Sequence, residues 1–363
     1  MAILSETPAA GLVADGVTGA GVDIVVGGDT HRDTHTLEIA TVTAAPITTF
    51  TISNDAAGYA AACDRIRSYG DPDRVVVGLE GTRSYGIGLA RALSTARFRV
   101  VEVERPSRAQ RRAGKSDPID AHLAVLSVLR AGGTGQWTQP RADGAREALR
   151  ILLAARDGLA TSRTAQINRL RALLLTGNDD DRRLARASMS ATTLTTLIRR
   201  RARRDDTVDT AVRRIECRRL AQSIRDGATA LKDNKEQLAA LVTQLAPRLL
   251  EHIGVGPVSA AYTIVAWSHP GRCRDDAAFA SLAGVNPIPA SSGRTTRHRL
   301  NRGGDRRLNQ AIHTIAVNRW RTDPRTHAYI ARRRADGKTD REIRRSLKRY
   351  IAREIYKTLE HTT

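Results

Sequence analysis

Four carboxylates, Asp29, Glu80, Asp117 and Asp120, have the residue type and setting for metal-assisted chemistry at a phosphate. Asp29 follows the Val- and Ile-rich run VDIVVG at 22–27, and Glu80 closes a second such run, RVVVGL at 74–79. Asp117 and Asp120 stand three apart in SDPID, which puts both on one face of a helix starting there. Clustered carboxylates repel one another. A hard divalent cation relieves that repulsion, so Mg²⁺ is the expected occupant. Two such ions can activate an attacking oxygen and stabilise a leaving one at a phosphate. Helix capping is the competing use of the last pair, with Asp117 as N-cap, Pro118 at N1 and Asp120 at N3. Asp23 and Asp33 are neighbours of Asp29 but fall at the start of the apolar run and past its turn.

A second chemistry-bearing stretch is ASSG at 290–293, between the Pro-rich NPIP at 286–289 and a basic run. A serine hydroxyl needs activation to act as a nucleophile, and no Ser-His-Asp pattern is visible nearby. Arg294, Arg297, Arg299, Arg302, Arg306 and Arg307 follow, and are expected to contact phosphates, adding affinity rather than sequence choice. The IGVGP at 253–257 is similar to a helix-hairpin-helix turn, whose glycine amides can meet a phosphate. His269 and Cys273 lack a second ligand pair, so zinc is not expected.

The elements that must position these residues follow from periodicity. Strands are expected at 22–27, 35–43, 47–53, 74–79 and 99–104, with helices at 55–68, at 86–96 and from Pro118 onward. The order β-β-β-α-β-α-β-α is that of an α/β RNase H-like (RuvC-like) domain, in which the first and fourth strands are neighbours and Asp29 can meet Glu80. TQPRAD at 138–143 reads as a linker. Helical patterns run from Ala145 to about Leu175 and from roughly 208 to 246. In the second, Cys217, Ile224, Leu231, Leu238 and Leu245 recur every seven residues, the signature of a coiled coil. The expected organisation is a loose N-terminus at 1–20, a RuvC-like domain at 21–136, a helical coiled-coil region at 137–248 and a mainly α C-terminal domain at 249–363.

Charge separates these parts. The 363-residue chain carries a formal net charge of +21, with a pI near 11.0, and is 41% hydrophobic. Residues 1–136 hold 14 basic and 15 acidic side chains, and the remainder holds 45 and 23. A polyanion partner is therefore expected for the C-terminal two-thirds. Aromatics are only 4%, which argues against base stacking as the main mode of recognition. Three scattered cysteines suggest a reducing compartment. The start lacks a secretory pattern and no long apolar run exists, so a cytoplasmic, nucleoid-associated protein away from membranes is expected.

GGDTHRDTH around Asp29, VVVGLEGTRSYG around Glu80 and KSDPIDAHLAVL around Asp117 and Asp120 together resemble the DEDD-type insertion-sequence transposases of the IS one-ten group. ARDGLATSRTAQINRLRALLLTG, FASLAGVNPIPASSG and RLNRGGDRRLNQAI extend the resemblance over about residues 22–357. It departs at Thr30-His31-Arg32 and at Ala290-Ser291. The resemblance implies a recombinase that excises and inserts its own element, with Ser292, or in the alternative Ser291, forming a 5′-phosphoserine link to DNA. It also implies that carboxylate-bound Mg²⁺ activates that serine in a composite site, that a structured noncoding (bridge) RNA pairs with element and target DNA, and that a homodimer pairs into a tetramer. The rival is a junction-resolving nuclease that uses the four carboxylates and water, without a covalent intermediate.

Overall fold

Strands form where β-branched residues alternate or run together. In the computed structural model, which describes residues 21–105, 116–133, 137–290 and 298–361, these are Ile24–Thr30 (β1), Thr34–Thr41 (β2), Pro46–Ser53 (β3), Val75–Leu79 (β4) and Arg99–Glu102 (β5). They pair in the order β3-β2-β1-β4-β5. β1 is antiparallel to β2 and parallel to β4, as the meander followed by βα crossovers requires. Ser291, Ser292, Arg294, Arg297 and residues 1–20 lie outside the described residues.

β1 is longer than its apolar run. Gly28, Asp29 and Thr30 stay paired with Leu37, Thr36 and His35, so Asp29 lies within the strand rather than after it. Backbone pairing tolerates glycine and aspartate where side-chain hydropathy gives no strand signal.

The two faces of the sheet bury separate cores. On one, Val26, Leu37, Ile39, Val77 and Leu79 pack under the helices Ala56–Arg67 (α1) and Ile87–Thr95 (α2). On the other, Val25, Ala40, Val76 and Val101 meet Ala124, Val125 and Val128 of Asp117–Gly133 (α3). α3 comes close because Gly27 and Gly78, cross-strand partners in β1 and β4, present no side chain to it. A Cβ on Gly27 would stand 2.5 Å from the Val125 amide nitrogen, and one on Gly78 would run into Val128.

Residues 1–141 form one compact unit and residues 142–363 another. In the second, the helices Ala145–Leu175 (α4) and Val208–Leu245 (α7) run antiparallel, separated in sequence by Asp179–Arg186 (α5) and Ala191–Arg199 (α6). Cys217, Leu220 and Ile224 of α7 cluster with Leu170 and Leu174 of α4, and Leu238 and Val242 cluster with Leu149 and Leu153. Asn234 donates to the Leu152 carbonyl (2.9 Å), and Arg156 donates to that of Leu231 (2.9 Å). The heptad seam thus packs on a helix of its own chain, a partner tethered at high effective concentration. The α4/α7 base shares its core with Pro257–Trp267 (α8), Asp276–Leu282 (α9), Arg306–Thr322 (α10) and Asp340–Glu360 (α12). Pro324–Ala335 (α11) precedes α12. A short antiparallel pair, Pro287–Pro289 (β6) and His298–Leu300 (β7), flanks residues 290–297. The IGVGP turn enters α8 at Gly256, with Gly254 at φ +82°. Among the described residues no helix is long and apolar enough to cross a membrane.

Candidate active site

β1 sets the centre of the site. Along an extended chain every second side chain shares a face, so Asp29 lies on the same side as Val25 and Gly27, towards α3. It is only 5% exposed. α3 begins at Asp117, and the Asp120 amide donates to the Ser116 carbonyl (3.0 Å). The helix therefore starts one residue earlier than the capping pattern suggests, which leaves the Asp117 carboxylate outside the cap position. Asp120 is buried, whereas the Asp117 side chain is 55% exposed.

His31 joins the two elements. Its Nε2 lies 3.1 Å from Asp29 Oδ2 and 3.4 Å from Asp117 Oδ1. One donor atom from each of Asp29, His31 and Asp117 lies within 4.8 Å of the others. Ligands about 2.1 Å from an octahedral ion stand roughly 3 to 4.2 Å apart, so small rotations would close these three around one. The electrostatics agree. Burial pushes the Asp29 carboxyl above the ordinary range, His31 opposes this, and the charges of Asp120 and Asp117 push it further up. Those are the conditions that a bound cation would relieve. Two carboxylates suit a hard divalent ion such as Mg²⁺ or Mn²⁺, and the imidazole nitrogen adds one softer donor.

Glu80 follows β4 directly. Its amide donates to the Gly28 carbonyl (3.1 Å), and its carbonyl accepts from Thr30 Oγ1 (2.8 Å), so its backbone is fixed beside β1. Its carboxylate, however, lies 3.3 Å from Arg105 Nε, outside the close group of three. The structure thus brings Asp29 and Asp117 together, keeps Asp120 near enough to act on Asp29 through its charge, and places Glu80 on the adjoining strand against an arginine. The two nearby acids are accounted for otherwise: Asp23 pairs with Arg74 (2.5 Å) and Asp33 with Arg32 (2.8 Å).

Sequence reasoning missed His31, Glu38 and His122. His31 had a signal, since the spacing Asp29-x-His31 puts both on one side of an extended chain. Glu38 sits on β2 opposite Gly27, only 5% exposed, with its Oε1 2.6 Å from His122 Nδ1. Alternation along β2 reads its face as solvent-exposed. α3 covers that face, and only tertiary packing reveals it.

In the second unit Arg299 lies on β7, and Arg302, Arg306 and Arg307 are exposed. Arg307 pairs with Asp157 of α4 (2.7 Å), which also accepts from the Tyr262 hydroxyl (2.8 Å).

Two family models match the chain. Residues 26–178, which include all four carboxylates, match a DEDD-type model described as "Transposase". Residues 246–331, which include the serine segment, match "Transposase IS116/IS110/IS902 family". The chain carries IS110-family transposase domains. A curated relative, the "Insertion element IS110 uncharacterized 43.6 kDa protein" of Streptomyces coelicolor, is 33% identical over 125 residues. That match takes in 32% of this chain and 31% of the relative, so the chain spans about a third of the length of the curated relative it matches. A mixed sheet followed by a mostly helical region fits the RNase H-like architecture of a DEDD domain.

Proposed function

We propose that this IS110-type chain is a DNA recombinase that excises and inserts its mobile element, cutting and rejoining DNA through a serine. The observation that carries the reading is the meeting of Asp29, His31 and Asp117 at the end of β1, inside the segment matched by the DEDD transposase model. Asp29 and Asp117, with His31 beside them, would hold a divalent cation, Mg²⁺ in our reading, and we count Asp120 and Glu80 as further carboxylates of the same site. When bound, such an ion would stabilise charge on a scissile phosphate and favour the ionised form of an attacking hydroxyl.

The serine chemistry rests on the position of Ser292 within the second family match. Its Oγ attacks phosphorus and gives its proton to solvent or a base, while the P–O3′ bond breaks and the leaving O3′ takes up a proton from solvent or an acid. The products are a free 3′-hydroxyl and a 5′-phosphoserine. Attack by a 3′-hydroxyl on that linkage rejoins DNA without loss of bond energy. The excess of basic residues after position 136 supports nucleic acid as partner, and the reading includes a structured noncoding RNA beside the DNA. It also includes a homodimer that pairs into a tetramer. Val208, Val212 and Ile215, exposed along the first turns of α7, support self-association.

The test uses element-end DNA, Mg²⁺ and the full chain with its RNA, analysed on a denaturing gel. The wild type should yield a protein–DNA adduct. Ser292→Ala and Asp29→Ala should each abolish it, and Ser291→Ala should retain it. Undiminished adduct in Ser292→Ala excludes that nucleophile, and cut DNA without any adduct in the wild type indicates the junction-resolving nuclease instead.

A further inference from the structure

The stem of the β6/β7 pair and the helix α12 line a cleft of about 640 Å³, and of its cations only Arg299 has a role above. Its walls come from separate stretches of chain. β7 gives Arg299, α11 gives Arg333, the turn after it gives Lys338, and α12 gives Arg345, Lys348 and Arg349. Glu342 is the single acidic residue lining it among the described residues. That carboxylate is already engaged, accepting from the Thr339 amide (2.9 Å) and hydroxyl (2.8 Å) in the capping box of α12.

The arrangement on α12 is periodic. Glu342, Arg345, Ser346 and Arg349 fall at intervals of three, four and seven, which is one helical face. Ile343, Leu347, Ile351 and Ile355 take the core side. Lys348 is set deeper. Its ammonium donates to Asn309 Oδ1 (2.7 Å), and Asn309 in turn donates to the Ala283 carbonyl (2.7 Å). Burial holds the Lys348 pKa below the ordinary lysine range. Desolvating an ammonium against an amide rather than a carboxylate is costly, and an incoming anion would offset that cost.

We infer that this cleft binds the phosphodiester backbone of an unpaired DNA strand, beside the hairpin stem that leads into the serine segment. The choice of DNA over RNA rests on the function proposed above, in which the serine segment beside this stem acts on DNA; the rest follows from the cleft. Arg333 is already paired with Asp336 (3.0 Å), yet the cations from β7, α12 and the turn between the helices still exceed what one phosphate can neutralise, so the ligand is a polyanion. No Phe, Tyr or Trp lines the cleft among the described residues, so it grips backbone rather than stacking bases. The cations stand on four separate elements around a concave surface, so a flexible single strand can turn to meet all of them, whereas a duplex, stiff over about 150 bp, carries its phosphates along one line.

The experiment measures binding of the full chain to a fluorescein-labelled 12-nucleotide mixed-sequence strand and to the matching duplex, by anisotropy across a salt series. The double variant Arg345→Gln/Arg349→Gln is compared with Arg182→Gln/Arg183→Gln, an equal charge loss on α5. For the single strand, the first variant should weaken binding about tenfold near 0.1 M salt. It should also flatten the log–log salt dependence by about 1.4, at roughly 0.7 per lost phosphate contact. The α5 variant should leave both values near wild type. Lys338→Gln, at an exposed turn, gives a second reading should the α12 variant fail to fold, with about half the effect on slope. An unchanged slope for the single strand overturns the inference, as does an equal loss on strand and duplex. Binding requires no cleavage, so a failed cleft and a failed Ser292 nucleophile are separately visible.

Discussion

Gly27 of β1 lies directly beneath Ala121 of α3, so close that a Cβ on the glycine would overlap the Ala121 carbonyl oxygen. This contact sets the height of α3 over the sheet, and the first turn of α3 carries Asp117 and Asp120. The acidic site thus depends on an absent side chain two positions before Asp29.

Gly27→Ala should therefore damage the site without touching a carboxylate. The new methyl meets backbone on α3, which cannot rotate away. We expect a loss of about 1–3 kcal/mol in urea unfolding, and Mn²⁺ affinity by calorimetry at least fivefold weaker. Gly28→Ala, on the opposite face, meets the side-chain tips of Leu79 (2.6 Å) and Leu37 (3.2 Å), which can shift. It should spare metal affinity. Wild-type Mn²⁺ binding by Gly27→Ala would sink the argument.

Asp29→Asn should stabilise the metal-free protein at neutral pH. Burial, with the charges of Asp120 and Asp117, raises the Asp29 pKa in the folded state above its ordinary 3.8. The folded protein holds that proton to higher pH than the unfolded chain does. The cost of ionising Asp29 is thus absent below the unfolded pKa, grows as pH rises, and is complete above the folded pKa. Thermal melts should show the Asp29→Asn variant a few degrees more stable at pH 7 and level with wild type near pH 3. Millimolar Mg²⁺ or Mn²⁺ should raise the melting temperature of wild type and leave the variant unmoved. A destabilised variant at pH 7 would count against the strained-carboxylate account.

Arg319, 9% exposed, donates to the Ile253 carbonyl (2.8 Å) and to Glu354 (2.6 Å), tying the IGVGP turn to α10 and α12. Arg319→Met should cost about 1–3 kcal/mol in urea unfolding, since it removes the two hydrogen bonds of a nearly buried guanidinium, while Glu354 keeps His252 (3.1 Å) as a partner. The partial exposure of Glu354 keeps the figure towards the lower end. Arg319→Lys should recover little, because a single ammonium cannot reproduce the fork. Full stability of the lysine variant would show that charge alone matters there.

Gly158, in the middle of α4, has no atom within 4 Å of where a Cβ would stand, and its φ is not positive. Gly158→Ala should stabilise the chain by about 0.5–1 kcal/mol through helix propensity. A loss of stability on urea unfolding would mean that this face of α4 meets something not visible in the single chain.

What the sequence determined by itself is the local and the periodic. Alternating and continuous β-branched runs placed the five strands of the first unit to within a few residues. The seven-residue repeat marked α7, and the acidic residues at run ends marked Asp29 and Glu80. Those signals are legible because they arise from neighbours in the chain. Tertiary structure decided the rest. Which acids converge depends on how low α3 sits on β1, and so on Gly27, whose importance is a missing atom rather than a pattern. Glu38 reads as an outward-facing strand residue and is buried because α3 arrives from roughly eighty positions away to cover it. Glu80 has the right place on the sheet, yet its charge is turned to Arg105. The heptads state that α7 needs a partner and are silent on which one, and α4 fills that role because it is tethered alongside. Convergence of this kind is a property of packed surfaces, and no spacing along one strand or helix encodes it.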